Sequence, residues 1–185
     1  MSGNYDIKKQ FEPVLAVCRV LFEKKLKDYG ASWRVMRQKS ITDQIFIKIK
    51  RIRSLEIKKC CKINENVEDD LIAIVNYGII GLIQLEMRFS DIIDINHEEA
   101  LSLYDKHIVE IQKLMIAKNH DYDNAWIVMR ISSYTDFIFT KILRIKQIEN
   151  NKEKTLVSEG INTNYMDIIN YAVFGLIKLM CKNKK

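Results

Sequence analysis

The sequence predicts an all-α fold, a pseudo-two-fold helical bundle built from two tandem three-helix repeats. Three observations lead there. The 185 residues include only six Gly and one Pro, too few for the tight turns of a many-stranded sandwich or barrel. The chain is 48% hydrophobic, enough at this length for a sizeable core. Above all, it repeats itself: a shift of 93 positions lays residues 28–56 on residues 121–149, with 16 of the 29 pairs identical, far above chance, and such a repeat organises the architecture. A second block, shifted by 94, aligns Asn76-Tyr77 with Asn170-Tyr171 and Gly81-Leu82-Ile83 with Gly175-Leu176-Ile177. The expected organisation is residues 1–95 and 96–185 as two copies of one unit, packed together as one domain.

Each unit reads as three helices. The first is amphipathic, with Val14, Leu15, Cys18, Leu21, Phe22 and Leu26 at helical spacing in copy one and Ile108, Ile111, Met115 and Ile116 in copy two. The second begins at Ser40-Ile41-Thr42-Asp43 and Ser133-Tyr134-Thr135-Asp136, both capping-box strings, in which Ser accepts first-turn amides and the acid reaches back. Ile45, Ile49 and Ile52, repeated as Ile138, Ile142 and Ile145, form its core stripe. The third, near residues 67–87 and 163–180, is apolar around most of its circumference and belongs at the centre. Residues 57–66 and 150–162 are polar connections.

Composition narrows the function. Neither G-x-x-x-x-G-K-[ST] nor G-x-G-x-x-G occurs, so the familiar Gly-rich phosphate cradles are absent. The longest uncharged stretch, Leu71 to Leu85, is shorter than the roughly 20 apolar residues of a membrane span. The first residues carry no apolar signal region, so a cytoplasmic protein without a membrane partner is expected. Cys18, Cys60, Cys61 and Cys181 match no zinc or redox spacing and are expected to be reduced and mostly buried.

Charges kept in both copies are the candidates for chemistry, because a solvated face tolerates almost any polar residue. Arg37, Lys48 and Arg51 recur as Arg130, Lys141 and Arg144. Lys48 and Arg51 share a helix face, which suits a phosphate, with Arg as a bidentate fork and Lys as a point charge. The same cations could instead pair with Asp28, Glu56 or the acids of the third helix. Glu65, Asp69 and Asn76 fall within about 40° of one another around a helix, and such a face can hold a hard cation. Copy two offers Glu159, Asp167 and Asn170. If the two third helices face each other, Asp69 and Asp167 could complement one another as the catalytic and metal-binding acids of one composite Mg²⁺ site. The alternative is that Asp69 and Asp70 merely complement a helix N-terminus. Of the net charge of +6, residues 48–62 alone carry seven cations against one acid. Without interleaved aromatics this is weak support for nucleic-acid binding.

The strings Lys27-Asp28-Tyr29-Gly30-Ala31-Ser32-Trp33-Arg34, Thr42-Asp43-Gln44-Ile45-Phe46-Ile47-Lys48 with Arg51-Ile52-Arg53, and Lys118-Asn119-His120-Asp121-Tyr122 resemble the nucleotide modification associated domain 1 family. The two-copy form is similar to that of Bacteroidetes-type bacteria. The resemblance implies a distant relation to the MazG-like all-α nucleoside triphosphate pyrophosphohydrolases, Mg²⁺-dependent helical bundles. Their E-E-x-x-E string is absent, since Glu98-Glu99 is followed by Ser102. Gly30 and Arg34 become Asp123 and Ile127 in copy two, which makes copy one the expected intact half. The resemblance therefore leads to two expectations: a Mg²⁺-dependent pyrophosphohydrolase acting on a nucleotide or similar phosphorylated compound, or a non-catalytic nucleotide sensor on the same fold. A homodimer of the duplicated chain is compatible with both.

Overall fold

A computed structural model describes residues 7–58, 66–151 and 159–182. It contains six α-helices, and no strand occurs among the described residues. Repeat one supplies α1 (Ile7–Tyr29), α2 (Gln38–Lys58) and α3 (Val67–Met87), and repeat two supplies α4 (His97–Asp121), α5 (Ile131–Asn150) and α6 (Ile161–Lys182). A single 3₁₀ turn separates the first two helices of each repeat, Ser32–Val35 and Ala125–Val128.

Helix α3 is long and apolar enough to cross a membrane by length and composition, but 67% of its most apolar window is buried inside the bundle. It is the central helix that its all-round hydrophobicity predicts. It packs against α6, and the seam is set by glycines. A methyl group added at Gly78 would meet Ile169, one at Gly81 would meet Tyr165, and one at Gly175 would meet Leu71. These pairings run in opposite directions along the two chains, so the helices are antiparallel and their midpoints cross near Asn76 and Asn170.

The stripe Ile45, Ile49, Ile52 and its copy Ile138, Ile142, Ile145 is fully buried, as its spacing predicts. The capping strings behave differently. Gln38 and Lys39 are good helix formers, so α2 starts two residues ahead of Ser40, and α5 likewise starts at Ile131. Asp43 and Asp136 therefore lie inside their helices and cap nothing. They cross between repeats instead: Asp43 pairs with Lys146, and Asp136 with Arg53 at 3.2 Å. Phe46 and Phe139 stack between these pairs at 5.9 Å, with Lys146 over one ring and Arg53 over the other. The true capping boxes are at α3, where Asn66 and Asp69 satisfy each other's amides, and at α4, where Asn96 and Glu99 do the same.

A polar chain also ties α2 to α5 and α6. The Gln38 amide donates to the Tyr165 hydroxyl at 2.9 Å, Tyr165 lies 2.7 Å from Thr42 Oγ1, and Thr42 donates to Glu149 at 2.6 Å. Burial raises the Glu149 carboxyl above its ordinary value, and the Thr42 bond only partly offsets this. A carboxyl raised in the folded state holds its proton to higher pH than in the unfolded chain. Its contribution to stability therefore falls as pH rises from the ordinary carboxylate range through the raised value. Glu149→Gln is expected to flatten that part of the stability profile, read as urea midpoints between about pH 4 and pH 7. A profile identical to that of the parent chain would show that the raised carboxyl is not the cause.

Candidate functional site

The functional side chains are placed by the turn between the first and second helices of each repeat. In repeat one, α1 ends on Gly30, whose φ of +66° is a conformation that a side chain resists. Repeat two makes the same exit with Asp123 and Asn124, both at positive φ. The turn then tucks Trp33 or Trp126 inward, 6% and 7% exposed. A third-helix side chain fixes each turn from behind: Gln84 donates to the Met36 carbonyl at 2.7 Å, and Lys178 donates to the corresponding Met129 carbonyl.

In front of each turn lies a cavity, about 130 Å³ in repeat one and about 270 Å³ in repeat two. The two are built from equivalent positions. Lys25, Tyr29, Trp33 and Met36 line the first where Lys118, Tyr122, Trp126 and Met129 line the second. From the third helices, Ala73, Asn76, Tyr77 and Ile80 correspond to Asp167, Asn170, Tyr171 and Phe174. Tyr29 and Tyr122 stand at the rims, 54% and 70% exposed. Burial raises the Tyr29 and Tyr171 phenols, and the nearby Asp167 carboxylate raises Tyr171 further. Both remain hydroxyl donors at neutral pH.

The differences between the cavities carry information. In repeat one the Asn76 amide donates to the Cys18 carbonyl at 3.1 Å and accepts from the Tyr104 hydroxyl at 2.6 Å. Tyr104 stacks on Phe22 at 4.3 Å. Burial lifts the Tyr104 phenol well above its ordinary value and the Cys18 thiol to about 12, so both stay protonated and structural. In repeat two Asn170 is 4% exposed, and neither its nitrogen nor its oxygen has a partner among the described residues. A buried polar group left unpaired costs about 1–3 kcal/mol, and native structures tolerate few.

The kept cations find acids on the third helices. Lys48 reaches Asp70 at 3.1 Å, and Arg51 pairs with the same carboxylate, which is fully buried. Lys141 reaches Asp167 at 2.6 Å; Lys118 pairs with it too, and Glu159 lies 3.7 Å from Lys141. Equivalent lysines thus use acids at non-equivalent positions, since Asp167 replaces Ala73 whereas Asp70 lies three residues earlier. Only Asp167 lines its cavity. Arg37 is exposed, Arg130 is the exposed residue before α5, and Arg144 is half-buried with its charge felt at Tyr171.

The structure does not bring Asp69 and Asp167 together. Asp69 is exposed and held in the α3 capping box, and Asp167 is buried between two lysines. The α3–α6 register sets residue 69 opposite Ile177, ten residues or about 15 Å along the helix from Asp167. Their composite site is ruled out by the antiparallel packing that the expectation overlooked. Glu65 lies outside the described residues. Among the described residues no three His, Cys, Asp or Glu side chains gather as cation ligands. Asp167, already neutralised by two lysines, does not fit a hard cation's need for free carboxylate oxygens. Cys18 is buried as expected, whereas Cys181 is exposed, and Cys60 and Cys61 lie outside the described residues.

A model of the nucleotide modification associated domain 1 family matches residues 25–85 and again residues 118–179. The chain belongs to this family. Both matched stretches start at the cavity lysine, Lys25 or Lys118, and run past the third-helix Asn-Tyr pair. No curated protein and no solved structure matches the chain. The sequence of this family member pointed to Asn76 and Asn170, but no binding role was read for Trp33 and its copy, Lys25, Tyr29 or Tyr77. The signal was present in the duplication. Tyr29/Tyr122 and Tyr77/Tyr171 are identical pairs, and an aromatic kept at a rim does more than fill a core.

Proposed function

We propose that the protein binds a nucleotide in an aromatic pocket beside the kept cations. The observation that carries this reading is the pocket itself, made twice from equivalent Trp, Tyr, Tyr, Asn and Lys side chains. Aromatic faces accept a flat base by stacking, an amide pairs with a base edge, and lysines at the rim neutralise phosphate. Lys118, Lys141 and Arg144, set against Asp167 and Glu159, leave an excess of positive charge near the repeat-two pocket. A binding module is favoured over a Mg²⁺-dependent pyrophosphohydrolase, because the candidate acids among the described residues, Asp69, Asp70, Glu159 and Asp167, are engaged by basic side chains or a cap and no three acids converge as cation ligands. The family's description, which refers to nucleotide modification, is compatible with a ligand of this class.

The test uses the two tryptophans, the only ones in the chain. Nucleoside mono- and triphosphates with and without Mg²⁺ are expected to raise Tm by mass action and to quench tryptophan fluorescence, without releasing pyrophosphate. No shift and no quench at millimolar nucleotide would overturn binding. Pyrophosphate release from any triphosphate would replace the binding module with the enzyme.

A further inference from the structure

We infer that the two repeats have divided their labour: the repeat-two pocket holds the ligand and reads a nucleobase edge with Asn170, while the smaller repeat-one pocket has its Asn76 amide already engaged by its own side chains and backbone. This rests on the nucleotide reading, reverses the expectation that copy one is the intact half, and names which pocket acts and which atoms recognise.

The argument begins with the pair of equivalent amides. Asn76 is satisfied internally by the Tyr104 hydroxyl and the Cys18 carbonyl. Tyr104 lies on α4, and its counterpart on α1 under the 93-residue shift is Phe11. Phe11 is fully buried and packs edge-on against Phe174, a residue of the repeat-two pocket. Phe11 has no hydroxyl to give to the Asn170 oxygen, and among the described residues no carbonyl accepts from the Asn170 nitrogen as Cys18 accepts from Asn76, so Asn170 keeps both a free donor and a free acceptor at a largely apolar cavity. An amide presents N–H and C=O side by side, and every nucleobase carries a neighbouring donor and acceptor on its pairing edge. Beside it Trp126 and Phe174 stack at 4.8 Å, and Tyr171 and Tyr122 line the approach, surfaces against which a planar ring can pack. The repeat-two cavity is also about twice the size of its copy, 270 against 130 Å³. A phosphate alone has only acceptors and would leave the Asn170 carbonyl unmatched.

Isothermal calorimetry with the four common nucleoside triphosphates, their nucleosides, ribose 5-phosphate and inorganic triphosphate tests this. One site per chain is expected, with at least one nucleotide binding tenfold or more tightly than ribose 5-phosphate. Asn170→Leu is expected to weaken that nucleotide by about tenfold to a hundredfold, the worth of a bidentate base contact, to leave inorganic triphosphate unchanged, and to raise Tm because the unpaired amide is gone. Phe11→Tyr places a hydroxyl where Tyr104 has one in the other repeat. It is expected to satisfy the Asn170 oxygen, raise Tm and weaken the nucleotide by a similar factor. Quenching should vanish in Trp126→Phe and survive in Trp33→Phe. Two sites per chain, quenching that follows Trp33, or unchanged affinity in both Asn170→Leu and Phe11→Tyr would overturn the division of labour while leaving nucleotide binding standing. No heat from any probe would overturn both.

Discussion

Replacing Arg34 by methionine is expected to cost about 3 kcal/mol of folding stability, near the lower end of what breaking a buried ion pair costs. The Arg34 side chain is 2% exposed. Its guanidinium grips Asp94 through both oxygens at 2.7 and 3.0 Å, donates to the Arg88 carbonyl at 2.7 Å, and bonds the Gln84 side-chain oxygen. Gln84 in turn donates to the carbonyls of Trp33, Arg34 and Met36. One arginine therefore locks the tryptophan turn, the end of α3 and the connection toward repeat two. Methionine fills similar volume but leaves the buried Gln84 oxygen unpaired, which alone costs about 1–3 kcal/mol. The partly exposed Asp94 can recover water, so the figure sits low in the range. The urea midpoint checks it, with Asp94→Asn expected to move the midpoint much less. The corresponding position in repeat two is Ile127, where Lys178 holds the turn instead, so that repeat needs no such arginine.

Arg34, which the resemblance marked only as a difference between the copies, also illustrates how little of its structural role the sequence conveyed. The duplication made the helices, their order and the buried isoleucine stripe legible, because packing repeats with the chain. It did not reveal the partners of Arg34, since a residue present in one copy alone has no repeated counterpart to compare. The site was legible by class and illegible by geometry. That Lys48, Arg51 and Lys141 have partners on the third helices was one of two open readings, but which acid each takes depends on the rotation of α3 and α6. Asp70 looked like a helix-end acid and is the buried partner. Asp69 looked like a ligand and is the cap. About 100° of rotation around the helix separates those adjacent acids, and spacing alone cannot say which of the two faces the core. The free Asn170 amide was beyond reach, because its oxygen lacks the hydroxyl that Tyr104 gives Asn76, and the Tyr104 counterpart, Phe11, lies 159 residues away in sequence and packs on the same helix at Phe174.

The same antiparallel crossing makes two identical glycines unequal. Gly81 and Gly175 occupy equivalent positions, and an exposed helical Gly→Ala change would stabilise by about 1 kcal/mol. A Cβ at Gly81 would lie 2.9 Å from the Tyr165 ring, whereas one at Gly175 would lie 3.3 Å from a Leu71 methyl. Tyr165 is the counterpart of Leu71, and it has little freedom to move. It is fully buried, and its hydroxyl is fixed between Gln38 and Thr42. Displacing the ring would also break the polar chain that ends at Glu149. Gly81→Ala is therefore expected to destabilise by about 1–3 kcal/mol through overpacking, and Gly81→Val by more. Gly175→Ala should be close to neutral, because a leucine methyl can shift a few tenths of an ångström. The pair separates the local and the cross-repeat contributions to stability: equal effects of the two alanine variants in urea unfolding would mean that the seam adapts on both sides. If Gly81→Ala costs little when introduced into Tyr165→Leu, compared with Tyr165→Leu alone, the clash itself is the cause, since that pair reproduces the alanine-against-leucine contact of the Gly175→Ala variant.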